Sequence, residues 1–571
     1  MINLKRFSIF VCTSALLLVL SLSTSFAVPP SPELAAQLAA GIKPPTFYLE
    51  NYYELKDKGL CKGDQFHSKP KIDIGAGQLS PSAAPFRVLA LLVKFSDHDS
   101  SVSATYFDSM VYSSNGSTIH NYFQEISYTQ LDLVTLNLPS SVGWITAPQT
   151  YAYYTNGQNG LGAYPTNTQK LVEDLVDLVD PVVNFAQYDN DANGFVDVLL
   201  VIHSGTGAEF SGDNNDIWSH KWAITPRSKD GVFISSYTAQ PEYWLTPGDM
   251  TIGVYAHELC HGFGLPDLYD TDQTSNGIGK WGVMAYGCWN GPSGRGGSPS
   301  HPCAWSRIEM GFAASTNVTT NLNAVTIDNV EQNGTIYRLW NSGAIGNEYF
   351  LVENRQQIGY DSYLQREGLF IWHIDDAKSG NTQEWYPGQL GANHYLAALE
   401  QADGLFELDQ DYDQGDTGDP FPGSTNNTNF DAVSTPNSNA YSGGQSFVGV
   451  QNIAVSGDDM IADLIVGFAA GIEDDGLLPN SFELAQNFPN PFNPTTTIEF
   501  SLPTSSNVKL EIFNLNGELT AILADGRFSP GSHSVSWDGD NLTGDEVASG
   551  IYFYRLLTDD NNVSKKMVLV R

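Results

Sequence analysis

The run Tyr255-Ala-His257-Glu258-Leu-Cys-His261-Gly-Phe-Gly264-Leu-Pro-Asp267 constrains this 571-residue chain more than any other feature. On a helix, positions i and i+4 share a face, so His257 and His261 aim two imidazoles at one point. A metal ion needs such convergence, and Glu258 beside that point can take a proton from an activated water. Gly264 lies three residues past His261. Glycine tolerates positive φ, so it can end the helix and turn the chain back. That turn brings Asp267 round as a third, carboxylate ligand. Three protein ligands with room for water make the open zinc site of a hydrolase. A helix from about residue 251 to 262 is therefore expected. Met284, in Trp281-Gly-Val-Met284-Ala-Tyr286-Gly287, follows at a distance that suits a tight turn packed under the metal, although Met also fills ordinary cores. Tyr286 is a candidate to reach the metal or the oxyanion.

The rest of the chain sorts into segments. Lys5 and Arg6 precede an apolar run from Phe7 to Leu22, and Ser25-Phe26-Ala27 offers a cleavage site after Ala27, so residues 1–27 read as an export signal. The run falls short of the ~20 residues of a spanning helix, prolines follow at once, and no later stretch approaches that length. Residues 28–84 read as a leader, a propeptide rather than a folded domain. Prolines bracket a helical patch at Glu33–Ala40 and a Lys-rich segment at Lys56–Lys71. In residues 85–312 buried strands (Arg87 to Phe95, Val196 to Ile202) alternate with helical patterns (Thr118–Glu125, Thr166–Leu178), which predicts an α/β or α+β catalytic domain. In residues 313–470 the helical signal is gone and short alternating runs predict a β-rich, sandwich-like domain. Residues 471–482 read as a linker and 483–571 as a small C-terminal β-sandwich unit.

Lys and Arg number 27 against 64 Asp and Glu, a net charge of −37. Such a field repels phosphate backbones, which excludes nucleic acid as a partner, and it suits calcium. Asp189-Asn-Asp191-Ala-Asn193-Gly194-Phe195-Val-Asp197 places oxygen side chains at loop positions 1, 3 and 5, Gly at 6, the Phe195 carbonyl at 7 and Asp197 at 9. Leu200 stands where an EF-hand has Glu, so a compact calcium loop is expected, against the alternative of an Asx-rich turn. Asp403, Glu407, Asp409, Asp411, Asp413, Asp416 and Asp419 form either a solvated loop or a second calcium site around Asp409, Asp411 and Asp413. His220 and His373 read as core or surface histidines. Of five cysteines, Cys12 leaves with the signal, and Cys61, Cys260, Cys288 and Cys303 allow three pairings. Export permits disulfides, and Cys288 and Cys303, flanking a Gly/Pro/Ser loop, are the first expected pair. Cys260 reads as a buried thiol, and Cys61 is a candidate thiolate cap on the zinc of a latent form.

The segments His257–Asp270, Met284 and Pro302 to Phe312 resemble the immune inhibitor A-like metallopeptidases, as do Asn121 to Glu125, His203 to Gly205, Ile217 to His220, Glu353 to Gln356, Ile371 to Asp375 and Gln401 to Gly404. These are secreted, metzincin-like zinc endopeptidases of bacteria, and the resemblance covers about Phe86–Gly467. It implies a zincin-type catalytic fold, with His257, His261 and Asp267 as zinc ligands and Glu258 as catalytic base. Tyr286 and Cys260 depart from the expected pattern. The tail, with Asn487-Phe-Pro-Asn-Pro-Phe-Asn493-Pro and the Lys565–Arg571 ending, resembles the sorting domain of the type IX secretion route. That implies a Gram-negative host, an outer-membrane secretion machinery as partner, and release or surface attachment. The expected function is hydrolysis of proteins or peptides. The competing reading is a non-catalytic, calcium-stabilised adhesin on a peptidase-like scaffold. A purely structural zinc fits poorly, since structural sites are closed by four protein ligands.

Overall fold

A computed structural model describes residues 28–58, 60, 84–387, 393–467, 482–528, 531–541, 546–559 and 561–570. The export-signal segment, Cys61 and nearly all of the linker lie outside the described residues. The chain divides into two compact units, Met1–Ala469 and Ala470–Arg571. Among the described residues no helix is long and apolar enough to cross a membrane.

The leader is not the unpacked segment its prolines suggest. Helices α1 (Pro32–Ala39) and α2 (Phe47–Asp57) are capped by the side chains of Ser31 and Thr46. Val28, Leu34, Tyr48, Leu49, Tyr52, Leu55 and Leu60 are buried in the same core as the sheet that follows. The spacing of residues 48, 52 and 55 is helical and apolar, a signal that the flanking lysines and prolines obscure.

The first unit is built on a five-stranded sheet. Strand β1 (Leu89–Lys94) leads into α3 (Ile119–Ile126), β2 (Trp144–Thr146), α4 (Thr168–Val179) and β3 (Leu199–His203). A hairpin of β4 (His220–Lys229) and β5 (Val232–Pro241) follows. The spatial order is β2-β1-β3-β5-β4. The first four strands run parallel and β4 pairs antiparallel at the edge. Strands β1 and β3 are apolar on both faces because both faces are covered, as parallel sheets require. Helix α5 (Gly253–Gly262) lies against β4 and β5, with every residue buried. Its first turn starts where a Cβ on Gly253 would fall 1.9 Å from the Cys288 carbonyl oxygen, so only glycine fits.

The β-rich part belongs to the same unit. Strands β6 (Ser315–Asn317), β7 (Leu322–Ile327), β8 (Ile336–Leu339), β9 (Glu348–Arg355), β10 (Gly368–Asp375), β11 (Ala397–Leu399), β12 (Gly449–Ser456) and β13 (Asp459–Ile465) form two sheets, ordered β11-β10-β9-β8-β6 and β12-β13-β7. Alternate residues of β9 and β10 face opposite ways. Phe350, Val352, Leu369 and Ile371 join Val450, Met460, Ala462 and Leu464 of the second sheet. Leu351, Phe370, Trp372 and Ile374 join the core that holds α5. The larger sheet is thus covered on both faces, one of them by the part built on the five-stranded sheet.

In the second unit β14 (Glu483–Leu484), β15 (Thr496–Leu502), β16 (Ser506–Asn514), β17 (Leu519–Phe528), β18 (Gly531–Trp537), β19 (Gly550–Leu557) and β20 (Asn562–Leu569) form antiparallel sheets ordered β14-β15-β18 and β17-β16-β19-β20. Ile498, Phe500, Leu510, Ile512, Tyr554, Leu556 and Met567 form their shared core.

Candidate metal centre

Helix α5 presents His257 and His261 one turn apart, with ring centroids 4.8 Å apart. Past the helix, Gly264 takes φ of 92°, and the chain doubles back as the turn expectation required. Asp267 then places Oδ1 at 3.2 Å from both His257 Nε2 and His261 Nε2. All three residues are buried.

The protonation of this cluster follows from its backbone partners. His257 Nδ1 stands 2.8 Å from the Val283 carbonyl, and His261 Nδ1 stands 2.8 Å from the Leu265 carbonyl. A carbonyl only accepts, so each Nδ1 carries a proton, which in a neutral ring leaves the lone pair on Nε2, the atom that faces Asp267. Burial holds the His261 imidazole below its ordinary value, with Asp267 pulling the other way. Burial works against the Asp267 charge, and what offsets it is positive charge on the side facing the imidazoles. Two imidazole nitrogens and a carboxylate oxygen therefore meet, and His261 Nε2 and Asp267 Oδ1 are buried without a hydrogen-bond partner among the described residues. Such a set of acceptors calls for a cation, and its N₂O composition suits zinc.

Glu258 is fully buried beside this point, and among the described residues neither carboxylate oxygen has a hydrogen-bond partner. Burial foremost, then the charges of Asp267 and Glu209, push its carboxyl well above the ordinary range, while Lys221 on β4 favours the charged form. Met284 lies buried in the loop under the site. That loop acts through its main chain, because Val283 O orients His257 and Met284 O accepts from Leu268 N–H at 2.9 Å. Tyr286 packs edge-on against Tyr269 at 6.3 Å, and Tyr269 in turn stacks on His257 at 6.4 Å. Tyr286 thus stands one ring removed from the ligands.

The other expected sites fare differently. Asp189, Asp191 and Asp197 come together, and the Asp189 carboxylate accepts from the Asn193 and Gly194 amides. Asn193 Oδ1 turns to the Phe195 amide, and Gly194 takes φ of 90°. Burial raises Asp197 to about 6. Asp409, Asp411 and Asp413 do not converge, which corrects that grouping. Gln401 holds Asp409, Asn276 holds Asp411, and Asp413 turns to the Gly415 amide. Asp413 instead approaches Glu407 and Asp416. The expected Cys288–Cys303 bridge is also corrected, because both are buried free thiols, as is Cys260. Cys303 Sγ is held at 3.4 Å by Ser306 Oγ, and Cys288 sits in the turn wedged against Gly253. His220 bonds Trp218 O and the Tyr237 hydroxyl, a core histidine as read. Glu209 and Lys221, the charged neighbours of Glu258, carry no motif that would have singled them out.

The leader lies against these neighbours. Ser31 N–H donates to Glu209 O at 2.8 Å, and the indoles of Trp218 and Trp289 donate to Val28 O and Pro29 O.

Residues 101–312 match the family described as immune inhibitor A peptidase M6, catalytic domain, and residues 486–570 match the secretion system C-terminal sorting domain. Immune inhibitor A of Bacillus thuringiensis subsp. alesti is 33% identical over 210 residues, 30% of this chain and 29% of that protein. Pre-pro-metalloprotease PrtV of Vibrio cholerae serotype O1 (strain M66-2) is 30% identical over 195 residues, 29% of this chain and 21% of that protein. The aligned part thus spans less than a third of either relative. Among solved structures, OgpA from Akkermansia muciniphila is aligned over 88% of this chain and 96% of its own, at 11% identity and a TM-score of 0.22. That score carries no structural conclusion.

Proposed function

From the premise that residues 101–312 carry a peptidase M6 catalytic domain and residues 486–570 a secretion-system sorting domain, we propose that this protein is a secreted zinc endopeptidase acting on proteins or peptides. The observation that carries the reading is the meeting of His257 Nε2, His261 Nε2 and Asp267 Oδ1 within 3.2 Å contacts beside an unpartnered, buried Glu258. His257, His261 and Asp267 would hold the zinc, which when bound supplies a Lewis acid for water activation and carbonyl polarisation. Glu258 accepts the proton of the attacking water and returns it to the leaving amine. Val283 O and Leu265 O keep both imidazoles in the tautomer that offers Nε2. In the same reading the Asp189–Asp197 loop takes calcium through Asp189, Asp191, Asn193, Phe195 and Asp197, and pins the start of β3. The leader is a propeptide lying over the groups nearest Glu258, and the sorting domain directs type IX export.

The test compares the wild-type chain with Glu258→Ala, each before and after proteolytic trimming of the leader. Zinc per chain and hydrolysis of casein are measured with and without a chelator. One zinc in both proteins, with chelator-sensitive hydrolysis only in the wild type, is the expected result. One zinc in both with no hydrolysis by either trimmed protein would favour the binding scaffold instead.

A further inference from the structure

Arg355 closes β9 with its side chain fully buried. Most of its guanidinium is committed to Asp361, with Nε 3.0 Å from Oδ2 and Nη2 2.7 Å from Oδ1. Nη1 remains, and it donates to the Trp281 carbonyl. Two residues on, Val283 O takes the His257 Nδ1 proton at 2.8 Å, and the next carbonyl, Met284 O, takes the Leu268 amide at 2.9 Å. Asn381, in the connection between β10 and β11, is also fully buried. Its Nδ2 donates to Leu268 O at 2.9 Å and to Ala397 O at 2.8 Å, and its Oδ1 accepts from the Ala397 amide at 3.1 Å. Leu268 directly follows the ligand Asp267. The Asn381 carbonyl in turn accepts from Thr271 N–H at 3.0 Å.

We propose that Arg355 and Asn381 are positioning residues of the metal site, reaching from the β-rich part to fix the two loops that aim His257 and Asp267. Neither touches the ligand atoms. Arg355 acts through Trp281 O on the loop that orients the His257 ring, and Asn381 acts through Leu268 O on the turn that delivers Asp267. The planar fork of Arg355 spans a carboxylate and a carbonyl at once, a geometry a lysine ammonium does not reproduce. Asn381 uses both donors and its acceptor, so it binds β11 and the ligand turn as one piece. The β-rich part is on this account a component of the catalytic site rather than an appended module. The proposal rests on the zinc reading above.

The experiment uses the full chain as wild type, Arg355→Lys, Asn381→Ala and, as control, Val352→Ala, whose side chain faces the opposite core cluster. Zinc affinity is measured by competition with a chromophoric chelator, and the stability of the zinc-free protein by urea unfolding. Arg355→Lys and Asn381→Ala are expected to weaken zinc binding about tenfold or more, the scale seen when partners of metal ligands are removed. Val352→Ala is expected to unfold more readily while keeping zinc affinity within about twofold. Wild-type affinity in both positioning variants, or an equal loss in Val352→Ala, would overturn the proposal while leaving the zinc reading intact. A wild-type chain that binds no zinc would overturn both. Should Arg355→Lys not fold, Asn381→Ala decides alone.

Discussion

Gly264 joins the helix that carries His257 and His261 to the turn that carries Asp267, and its φ of 92° lies where a Cβ clashes with the backbone. Alanine in that conformation costs about 1–2 kcal/mol. The chain can relieve the strain only by rotating the segment that ends in Asp267. Gly264→Ala is therefore expected to lower stability by about that amount and to bind zinc more weakly. Urea midpoints with and without zinc measure both, and a variant matching the wild type in each would show that the turn tolerates a side chain. The convergence of His257, His261 and Asp267 was legible in the sequence because helical spacing and one glycine turn are local properties. Arg355 and Asn381 were not. Their contacts with Trp281 and Leu268 span 74 and 113 residues of chain, and both end on carbonyl oxygens, which every residue has. The Cys288–Cys303 expectation failed for a related reason, since closeness along a loop says nothing of the separate niches that hold each thiol.

Strand β10 shows what periodicity can and cannot deliver at the level of an element. The β-rich character of residues 313–470 was read from their short alternating runs, but the burial of β10 on both faces depends on a partner sheet and a partner domain that no local pattern names. A polar member of that strand, His373, has a consequence. Its ring is stacked on Tyr441 at 3.9 Å, and Tyr441 is stacked on His394 at 3.7 Å. His373 Nε2 lies 3.1 Å from Glu348 and Nδ1 lies 3.2 Å from Glu400, while His394 pairs with Asp375 at 2.7 Å. Burial alone would lower His373, but the two carboxylates outweigh it and raise its value above the ordinary imidazole range. A raised folded value means that the charged ring stabilises the fold fully below about pH 6.5, and that this contribution is lost as pH rises through the folded value. His394 shifts downward, chiefly by burial, so its effect falls at lower pH and leaves the upper window to His373. Stability of the wild type should therefore fall more steeply above pH 6.5 than that of His373→Gln. Urea unfolding across that range measures it, and parallel curves would mean that the imidazole stays neutral between its carboxylates.

The first unit as a whole depends on a segment that its sequence presents as dispensable. Val28, Leu34, Tyr48, Leu49, Tyr52, Leu55 and Leu60 of the leader are all buried in the catalytic core. At about 1.5–3 kcal/mol for each buried apolar side chain, they contribute about 10–20 kcal/mol against an extended unfolded chain, and less against a compact one. That is comparable to the entire net stability of a typical domain, about 5–15 kcal/mol. The same segment bonds the Glu209 carbonyl and the Trp218 indole, and the Glu209 charge acts on Glu258. On the propeptide reading proposed above, folding and latency make opposite demands on it. A chain synthesised from residue 84 onward is expected to fail to fold, or to fold with a much lower midpoint. Residues 28–83 supplied as a separate chain during refolding should restore the structure. Protease trimming of the folded protein should instead leave a species that survives kinetically and gains hydrolytic activity. A chain begun at residue 84 that refolds alone with an unchanged urea midpoint would show that the leader's buried side chains only fill a surface the core can close without them.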